Sequence, residues 1–265
     1  MKKVTHCIIA FSLFFAFARG EEQSPAVRIF LEKFDQLSAR GFVPTLRSGS
    51  TGIGYTLETL LEIEENNSPL GDFMGMELKA HREEDFDAGG NKKMNLFLKE
   101  PVWIDDLKHS ERIQKYGYVD DNGRTALYST VQIKENSHGF RFRIDPVGQR
   151  VFIQFRGEDV GFWTFKVLED RLREKHSEAV FIAARTRGTG KNEEFHYYGV
   201  QWCRDPSIGA FINLIRAGDV VLELRMHIKE SGSARNHGSA FRIRQSRIPG
   251  LYQATTRLRP VLKLP

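Results

Sequence analysis

The stretch Gly71-Asp72-Phe73-Met74-Gly75-Met76-Glu77-Leu78-Lys79 decides how this chain is read. In an extended strand, residues two apart share a face, so Glu77 and Lys79 project together while Met76, Leu78 and Ala80 point into a core. Gly75 has no Cβ and permits a tight reversal just ahead of the strand, which returns Asp72 beside Glu77. Two carboxylates and an ammonium then converge. Upstream, Thr56 as N-cap predicts a helix over Leu57 to Glu65. Leu57, Leu60 and Leu61 lie on its apolar side, the glutamates largely on the other, and Asn66-Asn67-Ser68-Pro69 stops it.

Those residue types suit one chemistry. Phosphodiester hydrolysis needs charge neutralised on the phosphoryl oxygens, a water made nucleophilic and a leaving oxygen stabilised. A hard divalent cation such as Mg²⁺ does much of this and prefers carboxylate and water oxygens. Asp72 and Glu77 are the candidate metal ligands. Lys79 is placed to orient the attacking water or to stabilise charge on the phosphate. Glu58, on the preceding helix, adds a water-mediated contact. A second reading stands beside this one: Asp-x4-Glu-x-Lys is a loose pattern that solvated strands match by chance, and Glu58, Glu62 and Glu65 taken alone are a solvated helix face.

The chain has 265 residues, 40% of them hydrophobic and 28% charged, the composition of a globular protein rather than a disordered or membrane-embedded one. We expect one domain. The net charge is +5 and the pI about 9.2, and the distribution says more than the sum. Thr51 to Asp85 carries nine acids against two bases, whereas Gln201 to Pro265 carries eleven bases against four acids. Acids cluster where a cation would sit, and bases where a polyanion would lie.

Residues 1–20 read as a leader: Lys2 and Lys3, an apolar run from Cys7 to Ala18, then small residues before Glu21 and Glu22. The run is shorter than the roughly 20 residues of a membrane span, so the expectation is a signal peptide and export. A buried N-terminal helix or a misplaced start, with a cytoplasmic protein, is the alternative. Residues 21–265 then form the mature domain. Of the two cysteines, only Cys203 lies outside the leader, which leaves no intrachain disulfide and no cysteine metal site. It is expected to be an inert core thiol.

Val27, Ile29, Phe30, Phe34 and Leu37 recur near helical spacing and end at Gly41, which predicts an amphipathic helix over Ser24 to Gly41. Strands are expected at Asp72–Met74, Met76–His81 and Met94–Leu98. Four more, at Ala126–Lys134, Phe140–Asp145, Arg150–Phe155 and Gly161–Phe165, have the spacing of a meander. Phe165–Lys175 reads as helix, Ala179–Ala184 and Phe195–Trp202 as strands, and Pro206–Ala217 as a helix with proline in its first turn. Val220–Ile228 is a strong strand, Gly232–Gly238 a polar loop and Ser239–Arg244 a final strand. The fold class is α+β, with a mixed central sheet flanked by helices.

Along Val220–Ile228, Glu223, Arg225 and His227 alternate with Leu222, Leu224 and Met226. Arg225 and Arg242 have the planar fork that reads guanine bidentately, and His227, Asn236 and His237 can donate or accept at base edges. Arg235, Arg244 and Arg247 fit better as phosphate contacts. Two other readings remain open: the arginines pair with Glu223 and Glu230, or the histidines bind a metal.

The residues Thr51-Gly52-Ile53-Gly54-Tyr55-Thr56-Leu57-Glu58, Glu65-Asn66-Asn67, Gly71-Asp72-Phe73, Glu77-Leu78-Lys79, Asn95-Leu96-Phe97 and Asn236-His237-Gly238-Ser239-Ala240-Phe241-Arg242-Ile243 carry a resemblance over about Ser24 to Tyr252. The chain resembles the MvaI/BcnI family of Type II restriction endonucleases, itself similar to the nicking mismatch-repair protein MutH, all with the PD-(D/E)xK nuclease fold. The resemblance implies an active site of Glu58, Asp72, Glu77 and Lys79 with Mg²⁺ as cofactor. It places Arg225, His227, His237 and Arg242 in a DNA-reading lobe. It further implies a monomer that clamps double-stranded DNA between the two lobes and cuts short C/G-rich sites one strand at a time. Glu223 departs from the family pattern, which has Asp there. A strand-nicking repair endonuclease, or a catalytically silent DNA-binding protein, is the alternative function.

Overall fold

A computed structural model describes residues 23–63, 73–83 and 92–259. The expected leader, Asp72 and the Glu64-Glu65 end of the expected second helix lie outside these residues.

The chain opens with α1 (Pro25–Ala39), whose start is fixed by Pro25 and by the Ser24 hydroxyl accepting from Val27 N at 3.3 Å. Its buried residues Val27, Phe30, Leu31, Phe34 and Leu37 form one stripe. Each such side chain removed from water contributes roughly 1.5–3 kcal/mol, and this docks the helix. Strand β1 (Val43–Pro44) and helix α2 (Gly52–Leu60) follow. The helix begins five residues earlier than expected. Thr56 is not its cap; it is buried inside the helix, where its Oγ1 accepts from Leu46 N at 3.0 Å. Gly52 is required at the start, since a Cβ there would stand 2.1 Å from the Arg47 carbonyl oxygen.

The first sheet has five strands: β1, β2 (Glu77–Arg82), β10 (Glu178–Arg187), β11 (Glu194–Pro206) and β15 (Tyr252–Arg259). Strands β2 and β10 are parallel, with Lys79 opposite Phe181, and the other pairs are antiparallel. This is the expected mixed sheet. One face packs on α1 and α2 through Leu78, Val180, Ile182, Tyr197 and Trp202.

The second sheet is antiparallel and has six strands: β3 (Lys93–Leu98), β5 (Tyr118–Val119), β6 (Thr125–Val131), β12 (Val220–Ile228), β13 (Ala234–Asn236) and β14 (Ala240–Arg244). The third joins β4 (Val102–Trp103), β7 (Phe140–Asp145), β8 (Arg150–Phe155) and β9 (Glu158–Thr164). The meander therefore runs through β7, β8 and β9 only, because β6 pairs with β12. Likewise the expected polar loop 232–238 contains β13, which pairs with β12.

A second core lies between the first sheet and the other two, and it takes in helices α3 (His109–Tyr116), α4 (Phe165–His176) and α5 (Ile208–Ala217). Leu168 and Leu172 of α4, Phe211 and Ile215 of α5 and Leu222, Leu224 and Met226 of β12 are buried there. Pro206 is not in the first turn of α5. It ends β11, and the Ser207 hydroxyl caps the helix by accepting from Ala210 N at 3.3 Å.

Candidate active site

Phe73 and Met76 exchange both backbone hydrogen bonds, each at 2.9 Å, around Met74 and Gly75, whose φ values are 50° and 85°. Two central residues at positive φ make the tightest hairpin turn, and the glycine adopts this without a Cβ penalty. The reversal expected from Gly75 is therefore present, immediately after Asp72 in the chain. Asp72 itself lies outside the described residues.

From the turn the chain enters β2, and the expected two faces appear. Met76 and Leu78 are buried against α1 and α2, and Ala80 packs on the same cluster. Glu77 and Lys79 share the opposite face and form an ion pair through Glu77 Oε1 and Lys79 Nζ. Glu77 is only 5% exposed. Its Oε2 is buried and has no hydrogen-bond donor among the described residues. A buried carboxylate oxygen without a donor costs free energy unless something positive supplies the missing interaction. That is the condition of a metal ligand.

Continuing the alternation brings His81 onto the face of Glu77 and Lys79, where it is buried. Sequence reasoning stopped one step short of it, although the i, i+2, i+4 spacing was the available signal.

A cleft of about 740 Å³ opens beside this face. Glu58 and Tyr55 of α2, Lys79 and His81 of β2, Asn95 of β3 and Arg242 of β14 contribute to its lining. It therefore brings two of the four expected catalytic residues together with one expected base reader. The described lining carries Arg47, Lys79, Arg82, Lys92, Lys93 and Arg242 against the single carboxylate of Glu58. A concave surface with that imbalance attracts a polyanion. Arg82 is held by a two-point pair to Glu193, at 2.7 and 2.8 Å.

The residues expected to read bases belong to the second sheet, Arg242 in the cleft lining and the others beyond it, on the face of β12 that carries Glu223, Arg225 and His227. Each has an internal partner. Arg242 Nη1 donates to Glu223 Oε1 at 2.7 Å and Nη2 to the Lys93 carbonyl at 2.6 Å. Arg225 donates to the carbonyls of His237, at 2.8 Å, and Gly238, at 3.3 Å. Asn236 Oδ1 accepts from Gly238 N at 2.7 Å, while its Nδ2 donates to Glu100 Oε1 at 3.2 Å. Glu100, unremarked in the sequence, also accepts from Ser239 N at 2.8 Å and so braces the loop. The expected pairing of an arginine with Glu223 is present, between Arg242 and Glu223.

His227 Nδ1 lies 2.8 Å from the Tyr128 hydroxyl, and its ring stacks on that of exposed His237, centroids 5.8 Å apart. Burial first, then the charges of Arg124, His237 and Arg235, hold the His227 pKa below its ordinary value. Arg244 and Arg247, expected as phosphate contacts, both approach Asp219, at 3.3 and 3.4 Å. Among the described residues no three His, Cys, Asp or Glu side chains group as a metal site, so the histidines form no such cluster. Cys203 is buried, and burial pushes its thiol pKa up to about 11, as an inert core thiol requires.

The fold is similar to that of the restriction endonuclease MvaI in complex with cognate DNA, with a TM-score of 0.72 and 24% identity, covering 89% of this chain and 99% of that one. It is also similar to MvaI in the absence of DNA, with a TM-score of 0.56 and 24% identity over 90% and 99% of the two chains. No curated protein matches in sequence. Residues 31–252, from the first turns of α1 to the start of β15, match the MvaI/BcnI restriction endonuclease family, and the chain belongs to that family.

Proposed function

We propose that this protein is a Mg²⁺-dependent endodeoxyribonuclease that hydrolyses phosphodiester bonds in double-stranded DNA at a short C/G-rich sequence. The observation that carries the reading is the cleft, in which Glu58 and Lys79 on one wall face Arg242 on the other, beside a buried Glu77 oxygen that lacks a donor among the described residues. The likeness of the fold to that of MvaI in complex with cognate DNA supports double-stranded DNA as the partner.

Glu77 and Asp72 would hold the cation, with Glu58 reaching it through water. When bound, it would neutralise phosphoryl charge and lower the pKa of a water at the site. Lys79, fixed by its pair with Glu77, presents its ammonium to the scissile phosphate and the incoming water. Arg225 and Arg242 would each take guanine O6 and N7, and Glu223 the exocyclic amine of cytosine, which favours C/G base pairs. One chain supplies both cutting and reading walls, which supports action as a monomer, one strand at a time.

Digestion of a supercoiled plasmid with and without Mg²⁺, followed by sequencing of the ends, tests the reading. Nicked circles that become linear, with ends at one short C/G-rich motif and no products in chelator, are expected. Products that stop at nicked circles would replace restriction-type cleavage with strand nicking, and an intact plasmid would sink the nuclease reading. We propose further that residues 1–20 are removed on export. A mature N-terminus at Glu21 by mass spectrometry agrees with this, and an intact Met1 or Lys2 end contradicts it.

A further inference from the structure

The cleft has a buried polar strut behind it that none of the chemistry above uses. His176, the last residue of α4, is fully buried. Its Nε2 lies 3.0 Å from the Leu96 carbonyl of β3, and its Nδ1 lies 3.3 Å from the Tyr252 hydroxyl of β15. A carbonyl only accepts, so Nε2 carries the proton, and Nδ1 is then the acceptor for the Tyr252 O–H. The imidazole thereby links β3 of the second sheet to β15 of the first.

The ends of the strut lie in opposite walls. Leu96 is adjacent to Asn95, which lines the cleft and pairs with Arg242 in the second sheet. Tyr252 belongs to the first sheet, and its ring meets Phe181 edge to face, centroids 6.0 Å apart. Phe181 is the direct neighbour of Lys79 across the parallel β2–β10 ladder. Burial and the nearby Cys203 and Glu77 raise the Tyr252 pKa well above its ordinary value, so the hydroxyl keeps its proton and remains a donor. Apolar contacts such as that of Tyr252 with Phe181 can slide, whereas a hydrogen-bonded imidazole fixes both distance and direction.

We propose that His176 and Tyr252 are positioning residues that set the active-site strand β2 against the reading strand β3, so that cleavage depends on their hydrogen bond. The proposal rests on the nuclease reading for its effect on cleavage and on geometry alone for its effect on the strands. Tyr252→Phe keeps the ring and its Phe181 contact and removes only the donor. His176→Gln, which retains a donor toward Leu96, serves as the second variant.

Two measurements on the full chain separate the parts. Amide hydrogen exchange without DNA is expected to speed by about tenfold at Leu78 and Leu96 in Tyr252→Phe, with β8 unchanged, because the strut locks those strands locally. Single-turnover cleavage is expected to fall about tenfold while the DNA Kd stays within about twofold, the signature of misplacement rather than lost binding. Unchanged exchange at both leucines overturns the strut, and altered exchange with unaltered cleavage overturns its positioning role. If the unaltered protein fails to cut DNA, the nuclease reading falls, and exchange still judges the strut.

Discussion

The two walls of the cleft treat their charged groups in opposite ways. In the active-site wall, Glu77 is buried with one oxygen paired to Lys79 and the other lacking a donor among the described residues. In the opposite wall, expected to be the reading one, Arg242 and, beyond it in the same sheet, Arg225 and Asn236 each have partners, supplied by Glu223, backbone carbonyls and Glu100. On the proposed function, the first arrangement would hold an interaction open for a cation. The second holds side chains in a defined geometry before any ligand arrives, and on the proposed function a base would have to replace a bond already made. Affinity at that wall is therefore a difference between two satisfied states, which favours discrimination over strength.

The sharpest way to break the contrast is Glu77→Gln. Cleavage should fall by about 1,000-fold or more, because the charge that would hold the cation is gone. Stability should not follow. Relief of the Glu77 oxygen that has no donor among the described residues and loss of the pair with part-exposed Lys79 oppose each other, so the melting temperature should change by less than about 2 °C. A large drop in thermal stability would show Glu77 to be a structural ion pair, and the asymmetry between the walls would disappear.

Arg242→Ala should behave in the reverse sense. It removes the partner of Glu223 and should cost about 1 kcal/mol of stability, the pair being partly solvent-screened. It should also relax discrimination by about 1 to 3 kcal/mol at one guanine, measured as cleavage rates over a panel of single-base variants. Equal weakening on every sequence would make Arg242 a phosphate contact and leave Arg225 as the remaining guanine reader.

How much of this was legible in the sequence follows the strength of local pattern. Strand β12 alternates Leu222, Leu224 and Met226 with charged residues, so its two faces and its bounds were readable, as were Glu77 and Lys79 on β2. Legibility failed where tertiary partners overrode a local signal. Thr56 has the chemistry of a helix cap, but its hydroxyl is used by Leu46 N ten residues upstream. Pro206 suits the first turn of a helix and equally the end of a strand, and the Ser207 hydroxyl decided between them. Strand β15 went unread because Gln253, Thr255 and Arg257 are exposed and only Tyr252 is buried, which leaves little hydrophobic alternation. Glu100 could not be found at all, since its partners Asn236 and Ser239 are far along the chain.

The smallest expected effect sharpens the description of the reading wall as preset. His227 has a pKa held below its ordinary value of 6.5, because burial and the neighbouring Arg124, His237 and Arg235 disfavour its charged form. In the unfolded chain the same imidazole titrates near the ordinary value. At a pH between the two, the unfolded state binds more protons, so stability must fall as acid is added. The contribution is complete above pH 6.5 and is lost as pH falls through the lower, folded value. His227→Gln has no such linkage. Its melting temperature should lose less than that of the unaltered protein between neutral pH and pH 5, by less than about 2 °C, because the ring is near solvent and the shift is screened. A steeper loss in the variant would mean that protonated His227 is favoured in the folded state. It would then face the DNA as a cation, and its role would move from base-edge contact to phosphate contact.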